Sequence, residues 1–152
     1  MKIFVAADHQ GYHLKQEVLE YLQKAGYLVE DVGNKKYNPE DDFPVFAAQA
    51  INKLQSCEDN DARAILLCGS GQGMLMAANR FKGIRAGLGW SVETAKALRN
   101  DEDSNVLTMP ARLFDKDRCH EAYVIIEAWL NTPFAAAARF IRRNQELDNL
   151  PD

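Results

Sequence analysis

The sequence predicts an α/β fold, a doubly wound, Rossmann-like three-layer sandwich around a five-stranded parallel sheet. Three observations predict it. Short runs rich in Ile, Val, Leu and Ala alternate with helix-period segments from one end to the other, as chained βαβ units require. No internal repeat or low-complexity linker breaks that alternation. The 152 residues are enough for one domain with a sizeable core, so a single domain over 1–152 is expected.

The elements follow in order. Ile3 to Ala7 reads as the first strand, too short in its apolar part for a signal peptide. From Tyr12 to Ala25 the apolar positions Leu14, Val18, Leu19 and Leu22 form a helical stripe closed by Gly26. Tyr27 to Val32 is a second strand and Gly33 to Asp42 a polar loop. Pro44, suited to a first helical turn, opens a helix to about Leu54. Ala64 to Leu67 is a third strand, followed by a glycine loop and a helix over Met74 to Phe81. Ile84 to Leu88 and Asn105 to Met109 are the last strands, with a helix over Val92 to Leu98 between them. Two helices finish the chain, Lys116 to Leu130 and Phe134 to about Leu147, parted by Pro133.

Composition narrows the function classes. Hydrophobic residues at 47% and charged residues at 26% are ordinary for a soluble globular chain. A net charge of −4 argues against nonspecific nucleic-acid binding. No apolar run approaches a bilayer-spanning length. Three cysteines, Cys57, Cys68 and Cys119, show no C-x-x-C spacing. Neither a disulfide framework nor a metal site is indicated, and a reducing cytoplasm is the simplest setting.

The segment Leu67-Cys68-Gly69-Ser70-Gly71-Gln72-Gly73 carries the chemistry. Alternating glycines let a backbone turn several N–H groups toward one point, and the following helix adds its dipole. The spacing is one residue short of a dinucleotide fingerprint, and a P-loop lysine is absent. A phosphate or oxyanion cup remains, against the plainer reading of a tight strand-to-helix turn. Cys68 reads either as a small buried hydrophobe or as a thiol activated by the adjacent N–H groups. Cys57 and Cys119 are expected to be inert. Asp8-His9 follows the first strand. Asp8 is a helix cap or a hydroxyl acceptor, and His9 an imidazole near a phosphate. His13 and His120 are expected on helix surfaces. Arg139, Arg142 and Arg143 share one helix face. That face is solvated by default, or docked through the small residues Ala135 to Ala138, where a guanidinium fork suits a phosphate.

Together these segments resemble the ribose-5-phosphate isomerase B family, which includes the galactose-6-phosphate isomerase subunits. The matching stretches are Ala7-Asp8-His9-Gln10-Gly11-Tyr12-His13-Leu14-Lys15, Asp31-Val32-Gly33, Asp42-Phe43-Pro44, Cys68 to Met74, Ala77-Ala78-Asn79-Arg80, Lys82 to Ala86, Asn105-Val106-Leu107, Ala111-Arg112 and Trp129-Leu130.

The resemblance implies a cytoplasmic, cofactor-free and metal-free aldose–ketose isomerase acting on a phosphorylated sugar. Ribose 5-phosphate and ribulose 5-phosphate are the expected pair. A six-carbon sugar phosphate, such as allose or galactose 6-phosphate, and a catalytically silent binder are the alternatives. It implies proton transfer by Cys68 through an enediolate, assisted by Ser70, with Gly69, Gly71, Gln72 and Gly73 holding the oxyanion. Asp8 is implied to bind sugar hydroxyls, and His9, Arg112, Arg139 and Arg143 the phosphate. A homodimer or dimer of dimers is implied, with the C-terminal helix at about 134–147 docking on a partner subunit. The chain departs from the family pattern at Asp101, where a ring-opening histidine is usual, so Asp101 is the expected base there, the alternatives being spontaneous ring opening or service by His9 or His13. It departs also at Glu102, Pro110 and Phe43.

Overall fold

The computed structural model describes residues 1–114 and 117–150. Its elements are β1 (Lys2–Ala7), α1 (Tyr12–Lys24), β2 (Leu28–Asp31), α2 (Phe43–Gln55), β3 (Arg63–Cys68), α3 (Gln72–Ala78), β4 (Ala86–Leu88), α4 (Val92–Asn100), β5 (Val106–Pro110), a 3-10 turn (Ala111–Leu113), α5 (Cys119–Asn131) and α6 (Ala138–Asp148). The five strands form one sheet in the order β2-β1-β3-β5-β4, and every pairing is parallel.

Two apolar layers flank the sheet, because successive strand side chains point to opposite faces. Ile3, Val5, Ile65, Leu67 and Leu107 pack with Leu14, Val18 and Leu22 of α1 and Ile126 and Trp129 of α5. Phe4, Ala64, Leu66 and Cys68 pack on the other face with Ala47, Ile51 and Leu54 of α2 and Met74 and Ala78 of α3. Cys68 is thus the last side chain of β3 on the α2–α3 face.

The order reverses between β1 and β3: the chain leaves β1 toward one edge and β3 toward the other. Ligands of such sheets bind at this switch point, beyond the carboxyl ends of the strands. Register places Ala7 beside Leu67 and Cys68 beside Pro110. The residues that follow, Asp8, Gly69 and Ala111, therefore share one edge.

Several boundaries differ from the sequence reading. The third helix ends at Ala78 and not Phe81, because Asn79 exchanges two hydrogen bonds with the backbone of Ala86, at 2.9 and 3.0 Å. That clasp also delays β4 from Ile84 to Ala86. The last helix begins at Ala138 and not Phe134. Ala136 takes a left-handed φ of 50°, a conformation an alanine enters at a cost of about 1–2 kcal/mol, and it cannot continue a helix. Lys116, the expected start of the preceding helix, lies outside the described residues.

Among the described residues no helix is long and apolar enough to cross a membrane.

Candidate active site

Cys68 ends β3 and is 4% exposed. Its Sγ accepts the Gly71 main-chain N–H at 3.1 Å. Gly71 takes a left-handed φ of 76°, which swings that N–H back toward the sulfur and then starts α3. The loop Gly69 to Gly73 thus curls around a thiol. Gly73 carries the Phe43 ring close above it, 2.9 Å from where a side chain would begin. Ser70 and Gln72 are exposed on the rim.

Asp8 and His9 enter from β1. The Asp8 N–H bonds to Leu67 O at 3.3 Å, which ties this turn to β3. Asp8 Oδ1 accepts the N–H groups of Gln10 and Gly11 at 2.9 and 3.0 Å. Asp8 therefore closes the turn ahead of α1 and does not cap the helix, whose N-cap Gly11 has no side-chain cap bond, while Oδ2 makes no hydrogen bond to the described residues. Burial raises the Asp8 carboxyl above its ordinary range, partly offset by those N–H bonds. His9 Nδ1 lies 2.8 Å from Asp41 Oδ1. That hydrogen bond raises the imidazole above its ordinary range and favours a cation at this edge.

Arg112 lies on the 3-10 turn after β5. Its N–H bonds to Gly69 O at 3.1 Å, and its Nε donates to Gln10 Oε1 at 2.9 Å. Beside it, Leu88, Trp90, Pro110 and Leu113 line an apolar cleft of about 310 Å³ that also touches Gly69 and Ser70. One edge of one chain therefore gathers a thiol, a glycine turn whose Gly71 N–H meets it, a buried carboxylate, an imidazole and a guanidinium. Such a set is fitted to hold an anionic, hydroxylated ligand and to move a proton on it.

Asp101, Arg139 and Arg143 are not part of this cluster. Asp101 follows α4 and accepts from Asn100 Nδ2 at 2.6 Å. The neighbouring Asn105 carbonyl accepts from Ala64 N–H at the start of β3, so this segment lies at the amino edge of the sheet. Val106 and Pro110 bound β5, and a strand of that length spans about 13 Å. The C-terminal segment is fixed to the amino edge as well. Ala135 N–H bonds to Asn100 O at 3.0 Å, and Arg85 pairs with Asp148 at 3.1 Å. On α6, Arg139 and Arg143 are exposed, with the Arg139 guanidinium 4.7 Å from the Phe140 ring centre. Two larger clefts, about 610 and 510 Å³, open at this amino edge. Their inner arginines are already paired: Arg63 with Asp61, Arg85 with Asp103 and Asp148, and Arg99 with Asp103.

Sequence reasoning missed Gln10, Asn34 and Asp41 as partners of the expected site residues, and the role of Lys15. Lys15 carried a signal, since with Val18, Leu19 and Leu22 it completes the buried stripe of α1. Asp41 carried none, standing among polar residues of a long loop.

Residues 3–147 match the family model described as ribose/galactose isomerase. A ribose-5-phosphate isomerase B of Mycobacterium tuberculosis is 35% identical over 143 residues, 94% of this chain and 85% of that protein. A solved ribose 5-phosphate isomerase of Thermotoga maritima superposes with a TM-score of 0.90 at 36% identity, covering 98% of both chains. The Mycoplasma genitalium ribose-5-phosphate isomerase B, solved with bound ribulose-5-phosphate, superposes with a TM-score of 0.89 at 33% identity, covering 97% of this chain and 93% of that one. The chain belongs to the ribose/galactose isomerase family.

Proposed function

We propose that this protein is an aldose–ketose isomerase interconverting ribose 5-phosphate and ribulose 5-phosphate. The observation that carries the reading is the Cys68 thiol set against the Gly71 N–H at 3.1 Å, on the sheet edge that also presents His9 and Arg112. In the proposed reaction the Cys68 thiolate removes the proton from C2 of the open-chain aldose and returns it to C1, while the O2 hydroxyl proton passes to O1 and the thiolate is regenerated. The charge that develops on the carbonyl oxygen is met by N–H groups of the Gly69–Gly73 loop, with Ser70 and Gln72 at the rim. Donors fixed before the reaction need no reorganisation as that charge forms. Asp8 Oδ2 serves the sugar hydroxyls, and His9 and Arg112 serve the phosphate.

The same reading makes the active unit a homodimer. Asp101, Arg139 and Arg143 lie at the amino edge of their own sheet, away from their own Cys68. A two-fold arrangement that lays the amino edge and α6 of one subunit over the Cys68 edge of the other completes each site, with Asp101 as ring-opening base.

The test is NMR of ribose 5-phosphate with the protein in deuterated water. Deuterium entry together with ribulose 5-phosphate supports the reading. No exchange with this sugar, but exchange with allose or galactose 6-phosphate, assigns a six-carbon substrate instead. Binding without exchange of any of them overturns catalysis.

A further inference from the structure

His9 is held from behind by residues outside the motif that brings it to the site. Asp41, in the loop between β2 and α2, presents a carboxylate side chain only 7% exposed. Its Oδ1 accepts the His9 main-chain N–H at 2.7 Å and faces ring Nδ1 at 2.8 Å. Its Oδ2 accepts from Asn34 Nδ2 at 2.8 Å. Asn34 is buried, and its main-chain carbonyl accepts from Lys15 Nζ. Lys15 is 0% exposed and reaches both oxygens of Asp31, at 2.9 and 3.0 Å. A line of hydrogen bonds therefore runs from the base of α1 to the imidazole. Among the described residues none of these bonds involves Cys68 or the glycine loop.

One carboxylate oxygen shared by the backbone N–H and the ring nitrogen of the same residue leaves that ring one orientation. Nδ1 must carry its proton toward Asp41, which leaves Nε2 as the nitrogen for a ligand. His9 Nε2 makes no hydrogen bond to the described residues. We propose that Asp41, braced by Asn34 and Lys15, is a positioning residue that aims His9 Nε2–H at the phosphate of the substrate. The inference rests on the isomerase reading for the phosphate and adds to it the group that orients its histidine.

Charge agrees with geometry. The ionisable groups facing the ring are Asp41 from the β2–α2 loop and Asp8 from its own turn, and both raise the imidazole pKa. Lys15 of α1 stands behind, on Asn34 and Asp31. An imidazolium with Nδ1 neutralised by Asp41 presents an outward donor to a dianion. A ring without Asp41 loses its second proton more readily and is not held in one orientation, so it presents Nε2–H to a phosphate oxygen less often.

The experiment follows the His9 ring by NMR titration in the full protein, with inorganic phosphate as the probe, and measures ribose 5-phosphate kinetics on the same samples. Asp41→Asn is expected to lower the His9 pKa and to weaken phosphate binding at neutral pH by about tenfold, one charge-assisted contact. KM should rise with kcat retained, and the alkaline limb of kcat/KM should move to lower pH. Asp41→Glu should recover part of each change. Asn34→Ala, which frees only Oδ2, should move the titration the same way by less and serves if Asp41→Asn does not fold. An unmoved His9 titration overturns the proposal. Unchanged phosphate affinity overturns it too, as does a fall in kcat with KM unchanged. If the unaltered protein does not turn over ribose 5-phosphate, the reading of that sugar as substrate falls, and the titration with inorganic phosphate still decides the role of Asp41.

Discussion

Arg112 Nε donates to Gln10 Oε1 at 2.9 Å, directly over Gly69. The pair links the turn after β1 to the turn after β5 across the mouth of the glycine loop, and only a residue without a side chain fits beneath it. A Cβ at Gly69 would stand 2.0 Å from Gln10 Oε1 and 2.9 Å from Arg112 Nε. Both obstacles are ends of flexible side chains, so Gly69→Ala should fold and displace the pair. With Arg112 pushed aside, KM for ribose 5-phosphate should rise by about tenfold, the loss of one hydrogen bond to a charged group. Thermal unfolding should stay close to that of the unaltered protein. An unchanged KM would remove Arg112 from the phosphate site.

Cys68 separates chemistry from packing. The side chain is buried, and its sulfur is the acceptor for Gly71 N–H. Cys68→Ser keeps an acceptor near that N–H but replaces the thiol with a much weaker acid. Cys68→Ala removes both. Each variant should lose about a thousandfold in deuterium exchange at the sugar carbons, within the range for a removed acid–base group. Sugar phosphate binding, followed by calorimetry, should survive in the Ser variant. Full exchange in either variant would sink the cysteine mechanism.

Lys15 tests the brace as a structural element. Its ammonium is fully enclosed and paired with Asp31 and the Asn34 carbonyl. Desolvation lowers its pKa, and the Asp31 carboxylate pulls it back up. Without Lys15, Asp31 keeps only the exposed Lys35 ammonium at 3.3 Å and the Gly33 N–H, and the buried Asn34 carbonyl loses its donor. Lys15→Ala should therefore cost about 3 kcal/mol in a denaturant titration, and its signature should spread to the 31–42 loop in hydrogen exchange. A loss below about 1 kcal/mol, the value of a surface pair, would show that Lys35 and water replace Lys15 on Asp31.

The His9–Asp41 pair also gives stability a pH dependence of known sign. The folded imidazole is raised above its ordinary value of 6.5. The folded state therefore holds this proton more tightly than the unfolded chain does. The pair's contribution is fully present below the ordinary imidazole value and is lost as pH rises through the raised folded one. Thermal unfolding of the unaltered protein and of Asp41→Asn, measured across that window, should converge toward the alkaline end. Parallel curves would show that the pair carries no linked proton.

The sequence made the switch-point edge legible because its residues are local to strand ends. Asp8-His9, Cys68 and Arg112 each follow an apolar run, and a parallel sheet brings such ends together. The braces were not legible, because they depend on side chains meeting across loops. Asp41 reaches His9 over 32 positions and Arg112 reaches Gln10 over 102, and no period or cap marks either meeting. The start of α6 was misread for a different reason. Four alanines in a row, Ala135 to Ala138, promise helix by propensity, yet Ala136 turns left-handed where the Ala135 N–H is held by Asn100 O. A tertiary hydrogen bond there overrides propensity.

The separation of Asp101, Arg139 and Arg143 from Cys68 makes the strongest prediction about assembly. If each active site draws Cys68 from one subunit and α6 from the other, Cys68→Ala and Arg143→Ala should each be inactive as homodimers. Mixed by unfolding and refolding together, they form heterodimers with one site carrying both lesions and one carrying neither. Random pairing places half of the subunits in such heterodimers, so about a quarter of the unaltered activity should return, as the two-fold symmetry of an isologous dimer demands. Asp101→Asn mixed with Cys68→Ala should behave alike on cyclic substrate if Asp101 opens the ring from across the interface. Two variants that stay inactive in every mixture would place Cys68 and Arg143 in the same subunit's site, which the amino-edge anchoring of α6 through Arg85 and Asp148 opposes.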